Sequence, residues 1–485
     1  MSFPKEYAVL PRERTLSQLP PEYSADAQEQ IVQLLSTSSL NRLVVLDDDP
    51  TGTQTCHDIP VLTVWDIPTL IKEFEQDSPG FFILTNSRAL PPLEAEKLIR
   101  GICENVSQAA QSTSQTVDIV LRGDSTLRGH FPLEADVAQS VFGPADAWVL
   151  APFFFQGGRF TINDVHYVAE GENLVPAGST QFAKDATFGY KSSNLRDYVM
   201  EKAPGRFAPE QLHSITIEDI RIGGPDAVYE KLMSLPKEGV FIVNAAAESD
   251  MHVFVAGLLL AESKGKHFLY RTGAAFVSSR LGIRPIPPIT AQQLGLPYPR
   301  ETGGLILAGS YVPKTTAQLK VLTDTRGPGP TGTNALAIIQ MDVSDLIASP
   351  ESAERVIRQV VEETEAKLQS GTDTLVMTSR KLITGQDELS SLAIGARVAE
   401  ALVRVLQLIQ VRPRYIIAKG GITSSDAATK GLNIKRAMIV GQAAPGVPLW
   451  RCDEPTSRHR DVPFVVFPGN VGGESTLCEL VEAWS

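Results

Sequence analysis

The chain has 485 residues, enough for two or three domains, and its 43% hydrophobic and 21% charged residues are ordinary values for a soluble protein with real cores. Its 44 basic residues against 56 acidic ones give a formal net charge of −12. No basic excess exists to neutralise phosphates, which argues against a general binder of nucleic acid or of an anionic membrane. A small anionic substrate stays open, because a few local arginines suffice for one carboxylate or phosphate.

The four cysteines, Cys56, Cys103, Cys452 and Cys478, form no CxxC pair, so neither a zinc site nor a disulfide framework is expected. The N-terminal stretch lacks the apolar core of a signal peptide. An apolar run near Val253 to Ala261 reaches about half the length of a membrane span. The expected address is the cytoplasm.

From Asn41 onward, short β-rich runs alternate with helical patterns. Leu43 to Asp47, Phe81 to Thr85, Val117 to Arg122 and Ala147 to Pro152 read as buried strands, being short, apolar and rich in β-branched or aromatic residues. Between them, Leu93 to Ser112 has helical spacing, with Leu98, Ile99, Ile102 and Val106 on one face. Ala151 to Gln211 shows little periodicity and reads as a long excursion of loops and short elements. The rhythm returns with a strand at Gly239 to Ala245, a helix at Asp250 to Ser263 and a strand at His267 to Gly273. Gly282 to Gly304 carries five prolines and suits an interdomain connection.

A second series follows, with strands expected at Leu305 to Ser310, Ala335 to Val343, Asp373 to Ser379, Arg414 to Gly421, Ala437 to Gly441 and Phe464 to Asn470. The spacing predicts a helix over Pro350 to Gln369, with Ser349 as N-cap, Pro350 at the first helical position and Gly371 beyond its end. The fold class is α/β: two domains, each with a mostly parallel sheet flanked by helices. The boundaries read as an extension over 1–40, a first domain over 41–281, a linker over 282–303 and a second domain over 304–485.

Six motifs sit at expected strand ends, where open α/β sheets bind ligands. In LDDDPTGTQT (Leu46 to Thr55), Asp47, Asp48 and Asp49 repel one another unless a metal, a cation or substrate hydroxyls face them; the alternative is a solvated acidic turn. LRGDSTLRGH (Leu121 to His130) sets Arg122 and Arg128 around Asp124, Ser125 and Thr126, as an anion site or as an internal ion pair of Arg128 with Asp124. TNSRALPP (Thr85 to Pro92) places Arg88 at the same edge. In the second half, Gly309-Ser310, Gly420-Gly421-Ile422-Thr423 and Gly472-Gly473 lie in glycine-rich turns. Each alone reads equally as a tight strand-to-helix turn. Three in one domain favour a nucleotide cleft, where glycines let backbone N–H groups approach phosphates. Neither the Walker pattern, HExxH, HxH nor GxSxG is present. His130 and His166 read as structural.

These motifs resemble those of the four-carbon acid sugar kinase family. Asp47 to Thr53 is similar to the family's ADDLTGA, with Asp48 and Asp49 on its acidic pair and Asp47 in place of alanine. Arg122 to His130 is similar to KxDSTLRGN, with arginine for lysine and histidine for asparagine. TNSRAL, the Ala151 to Val168 segment with its GRF and HYV, and FAKD (Phe182 to Asp185) also fit. So do AGS (Ala308 to Ser310), KGGITSSD with Ile422 where the family has glutamate, APGVP (Ala444 to Pro448) and PGNVGGES. The resemblance spans roughly residues 41 to 485, with the motifs in the same order.

It implies a substrate-binding N-terminal domain, a nucleotide-binding C-terminal domain and an active site in the cleft between them. The implied reaction moves the γ-phosphoryl group of ATP, with Mg2+, to the terminal hydroxyl of a four-carbon sugar acid of the threonate, erythronate or oxo-tetronate type. Candidate catalytic residues are Asp48, Asp49 and Asp124, with one of the Asp48–Asp49 pair as base and Asp124 on substrate hydroxyls. Arg88, Arg122, Ser125 and Arg128 are the substrate-binding candidates. Ser310, Gly420, Gly421, Ile422, Thr423, Gly472 and Gly473 are the nucleotide-binding ones, and the metal ligands are unassigned. Partners are the sugar acid and ATP, with neither nucleic acid nor membrane, and homodimer assembly is left open. A sugar-acid sensor without turnover and a nucleotide-cofactor oxidoreductase are the rival readings; the second lacks a GxGxxG between strand and helix.

Overall fold

The computed structural model describes residues 6–38, 40–234, 238–309, 312–328, 332–333, 335–379, 388–452 and 454–485. The chain divides into two compact units. The first comprises Met1–Cys56 and Val64–Pro285, the second His57–Thr63 and Ile286–Ser485.

In the first unit, seven strands lie side by side in the order Leu212–Ile215, Gly239–Val243, Ala147–Ala151, Phe268–Thr272, Val117–Arg122, Arg42–Asp47 and Gly80–Leu84. Every neighbouring pair is parallel. Their residues are almost all buried, as expected of strands covered on both faces. Helix Pro92–Ser112 turns Ala95, Ile99, Ile102, Cys103 and Val106 inward. Helix Glu248–Ser263 is apolar nearly all round; Met251, Val253, Phe254, Val255, Leu258 and Leu259 are all buried. Each such side chain stabilises the unit by about 1.5–3 kcal/mol.

The segment 151–211 consists of short elements and loops, as expected, and its strands of four to six residues join in an antiparallel sheet. Its strands run in the order Leu10–Pro11, Asn173–Pro176, Val165–Glu170 and Arg159–Ile162. A partner 160 residues upstream is invisible to local periodicity. The N-terminal stretch also supplies helix Ala27–Thr37, capped by Asp26 and packed on Glu248–Ser263.

In the second unit, the strand order is Ile59–Leu62, Arg436–Ala444, Val447–Arg451, Pro463–Phe467, Ile416–Lys419, Leu305–Ala308, Asp373–Thr378 and Leu336–Met341. The last five are parallel. The first four pair antiparallel, so the arrangement is mixed rather than mostly parallel throughout. Two of these strands, Ile59–Leu62 and Val447–Arg451, were not expected from the sequence. Helix Pro350–Gln369 has the expected bounds, with the Ser349 side chain accepting from the Ser352 N–H.

Beneath the strands of the second unit, Asp373 is fully buried and heavily engaged. It pairs with Arg300, stands 3.3 Å from Arg326 Nη2, and accepts from the Gly304 N–H at 2.8 Å and the Ser485 hydroxyl at 2.8 Å. Deleting one side of such a pair strands the other charge without compensation. Asp373→Ala should therefore cost about 3–5 kcal/mol. Urea unfolding checks this; a loss under 1 kcal/mol would show that Arg300 and Arg326 find water instead.

Candidate active site

The C-terminal ends of three adjacent strands of the first unit carry the polar residues. Arg42–Asp47 leads into Asp48 and Asp49, Gly80–Leu84 into Arg88, and Val117–Arg122 into Asp124 and Arg128. Arg88 is the centre. Its Nη2 contacts Asp49, and its Nη1 lies 3.9 Å from Asp48 and 3.8 Å from Asp124. The three carboxylates outweigh the cost of burial and hold the Arg88 guanidinium above its ordinary pKa.

The carboxylates differ in what surrounds them. Burial alone would raise Asp49, but Arg88 and two hydrogen bonds from Thr51 outweigh it and hold the group below the usual range. Asp124 is likewise held low, burial being overcome by Arg128 at 2.7 Å and by Arg88. Asp48 is shifted the other way. Both of its oxygens are buried with no hydrogen-bond partner among the described residues, and burial raises its pKa despite Arg88, Arg271 and Arg122. Asp47 is pushed up to about 8 by burial although Arg122 Nη1 is 3.3 Å away. Arg122 is thus a buried partner of Asp47 that also lowers the neighbouring Asp48 and Asp49. Ser125 is buried, and its carbonyl accepts from the His166 ring at 2.7 Å. His130 ties to the Ser87 and Leu90 carbonyls, and burial pushes His166 down to about 4, so both histidines are structural as expected.

Two groups in this cluster were missed in the sequence. Arg271, near the end of strand Phe268–Thr272, lies in a slot between Gly123 and Gly129. A Cβ on Gly123 would fall 1.4 Å from Arg271 Nη1, and one on Gly129 would fall 2.6 Å from Nη2 and 3.1 Å from Asp48. Glu134 is buried, accepts from the Ser87 hydroxyl at 2.5 Å, and is raised by burial against the pull of Arg271. An arginine inside an otherwise apolar strand was the available signal.

In the second unit, Leu305–Ala308, Ile416–Lys419 and Pro463–Phe467 are adjacent and parallel, with Ala308 paired to Lys419 and Lys419 to Phe467. Their ends bring together Gly309, Gly420 to Thr423 and the turn through Gly472 and Gly473. Gly420 has φ 112°, a conformation that side chains resist, and precedes the short helix Gly421–Asp426. Ile422 is 68% exposed there. The third turn is fixed from behind, Gln318 donating to the Val471 and Gly473 carbonyls at 3.0 and 2.8 Å. Ser310 lies outside the described residues. Lys419, also missed, is fully buried over the Phe467 ring and donates to the Pro468 carbonyl; burial pushes it down to about 7.

Among the described residues, no group of three or more His, Cys, Asp or Glu side chains is placed to hold a metal ion. Asp48, Asp49 and Asp124 are gathered on Arg88 rather than around a space of their own. No helix among the described residues is long and apolar enough to cross a membrane.

A side-chain cluster of opposed charges in one unit and a set of glycine turns in the other define a protein that handles a polar small molecule and a phosphate-bearing one. Residues 43–280 match the sugar-binding N-terminal domain family and residues 305–477 the nucleotide-binding C-terminal domain family, so the chain belongs to the proteins that join these two domains. The fold is shared with solved structures. A Salmonella typhimurium LT2 protein, provisionally described as a tRNA synthase, has a TM-score of 0.66 and 16% identity over 90% of this chain and 98% of its own. A Haemophilus influenzae protein of the domain family of unknown function DUF1537 has a TM-score of 0.57 and 18% identity over 90% and 99%. No curated protein sequence matches this chain.

The slot for Arg271 generates a test. Gly123→Ala should displace the guanidinium and leave Asp48 and Glu134 without its pull, raising their folded-state pKa values further. An acid raised on folding contributes stability that is lost as pH rises through its folded pKa. The variant's loss of melting temperature should therefore be larger at pH 8 than at pH 5. An equal loss at both would show that Arg271 does not hold these carboxyls.

Proposed function

We propose that the chain is an ATP-dependent kinase that phosphorylates the terminal hydroxyl of a four-carbon sugar acid of the threonate, erythronate or oxo-tetronate type. The observation that carries this reading is the contrast among three carboxylates at one strand edge of the sugar-binding domain. Asp49 and Asp124 each have an arginine at close range, whereas Asp48 is buried, raised, 3.9 Å from Arg88 and without a hydrogen bond among the described residues. A general base works best with its pKa lifted toward the working pH. The glycine turns of the nucleotide-binding domain supply the complementary half.

In this mechanism Asp48 takes the proton from the substrate hydroxyl as its oxygen bonds to the γ-phosphorus. The bond from that phosphorus to the bridging oxygen breaks, and ADP leaves. Asp124, fixed by Arg128 and Thr126, accepts from neighbouring substrate hydroxyls. Arg88 holds the three aspartates in register, and Ser125 shapes the turn beside them. Gly420, Gly421, Thr423, Gly472 and Gly473 face the phosphates, with Ile422 at the exposed tip of its turn. Mg2+ would arrive with ATP, held by phosphate oxygens and retained waters, and would offset the charge of the phosphates. Such a transfer rests on positioning and charge neutralisation more than on covalent chemistry.

ATP consumption with a panel of tetronic acids tests the reading. One or more acids should stimulate ADP release by at least ten-fold over none; stimulation by none of them leaves the sensor, which would still bind the acid. In the active pairing, the acidic limb of the kcat profile should lie above the ordinary aspartate range, because burial raises Asp48. Asp48→Asn should lower kcat by about 10²–10⁴-fold with little change in KM. Near-normal turnover in Asp48→Asn would move the base elsewhere.

The nucleotide assignment has its own test. A side chain on Gly421 blocks backbone approach to phosphate, so Gly421→Val should raise the KM for ATP roughly ten-fold or more while the KM for the acid stays within two-fold, ten-fold being about 1.4 kcal/mol. Equal effects on both substrates would count against it.

A further inference from the structure

The segment with the GRF and FAKD motifs contains a pair of arginines that the reaction above does not employ together. Arg159 opens strand Arg159–Ile162 immediately after the Gly157–Gly158 turn. Its guanidinium carbon lies 5.7 Å from the centroid of the Phe182 ring, and that of Arg128 lies 5.2 Å from the same centroid. Two like charges against one ring repel unless an anion sits with them. Arg128 has partners: Asp124 at 2.7 Å, and Asp185 at 3.9 Å from its Nη1. Arg159 has far less. Its Nη1 donates to the Gly157 carbonyl, its Nε is buried with no hydrogen-bond partner, and no carboxylate among the described residues pairs with it.

We propose that Arg159 and Arg128, seated against Phe182, form the binding site for the carboxylate of the sugar acid, and that Arg159 makes the enzyme select an acid over a neutral polyol. The inference rests on the kinase reading for the identity of its ligand. Of the two arginines expected from the sequence to clamp that carboxylate, Arg88 and Arg128, Arg88 is already surrounded by Asp48, Asp49 and Asp124. An incoming carboxylate would have to compete with all three. At Arg159 it meets a buried cation whose pKa is lowered by burial and by Arg128 even though the Asp124 carboxylate pulls the other way, so an anion there relieves a standing cost. The planar fork of a guanidinium matches the two oxygens of a carboxylate, and the aromatic ring fixes its plane. Gly157 leaves room for the fork, since a Cβ there would lie 3.0 Å from Arg159 Nη1. Asp185 is the internal competitor. Its Oδ1 accepts from the Thr187 and Phe188 N–H groups, leaving Oδ2 toward Arg128.

Two variants with opposite expected signs test this. Arg159→Met should raise the KM for the tetronate roughly ten-fold or more, while the activity on the neutral tetritol of the same length stays within two-fold. Asp185→Asn keeps the Oδ1 acceptor but removes the competing charge, so it should lower the KM for the tetronate. Stabilisation against heat by the tetronate alone, without ATP, should shrink in the first variant and grow in the second. This readout remains if no phosphoryl transfer is found, which separates failure of the kinase reading from failure of the carboxylate site. An unchanged tetronate KM in Arg159→Met, or an equal loss on acid and polyol, overturns the proposal. If Arg159→Met does not fold, a tetronate affinity in Asp185→Asn that is unchanged or weaker overturns it as well.

Discussion

The first unit is organised by the need to keep several carboxylates out of water at one strand edge. An ion moved into a protein interior costs several kcal/mol unless close partners compensate. Asp47, Asp48, Asp49 and Asp124 meet that cost in different ways. Asp47 takes Arg122, Asp49 and Asp124 share Arg88, and Asp124 adds Arg128. Asp48 receives charge from several arginines and a hydrogen bond from none of the described residues. The strand ends at Asp47, and the bend that follows carries Asp48 and Asp49 away from its regular alternation, so the three consecutive aspartates meet different partners.

The second unit solves a different problem with different means. Its three turns offer few charged side chains and many backbone groups, and their positions are set by the register of three parallel strands. Where the first unit discriminates by charge and fork geometry, the second relies on how closely an atom can approach the chain. Gly420 with φ 112° and a third turn held by Gln318 shape that surface largely from backbone, with Ile422 exposed on it. Lys419, the last residue of its strand, is buried there with Lys314 near enough to lower its pKa further.

Much of this was legible in the sequence because it is local. The parallel strands are apolar runs, and helix Pro350–Gln369 announces both of its ends. The aspartates, Arg88 and the glycine turns stand directly at the ends of such runs. What escaped is non-local. Ile59–Leu62 is only four residues long and pairs with Arg436 to Ile439. Leu10–Pro11 joins a sheet through Asn173 and Leu174. Arg271 and Glu134 act on Asp48 from a strand and a helix far along the chain, and nothing in their own neighbourhoods names their target. The sequence offered Arg122 as a weaker anion-binding candidate beside Arg88 and Arg128, and could not show its buried pairing with Asp47.

The path of the chain between the units has a consequence for how the protein is made. Residues His57–Thr63 belong to the second unit, although the chain on either side of them belongs to the first. Their strand pairs with Arg436 to Ile439, and the Asp58 and Thr63 N–H groups bond to the Ile439 and Lys435 carbonyls. On the ribosome this segment emerges early, and its partner is nearly four hundred residues behind it. Until that partner emerges, the edge that pairs with Arg436 to Ile439 stays open, blunted by the strand's four-residue length and by Pro60. A cut at the boundary near Pro285 therefore does not yield two whole halves. The C-terminal fragment lacks a strand of its own unit, and that strand would have to be supplied as a separate piece.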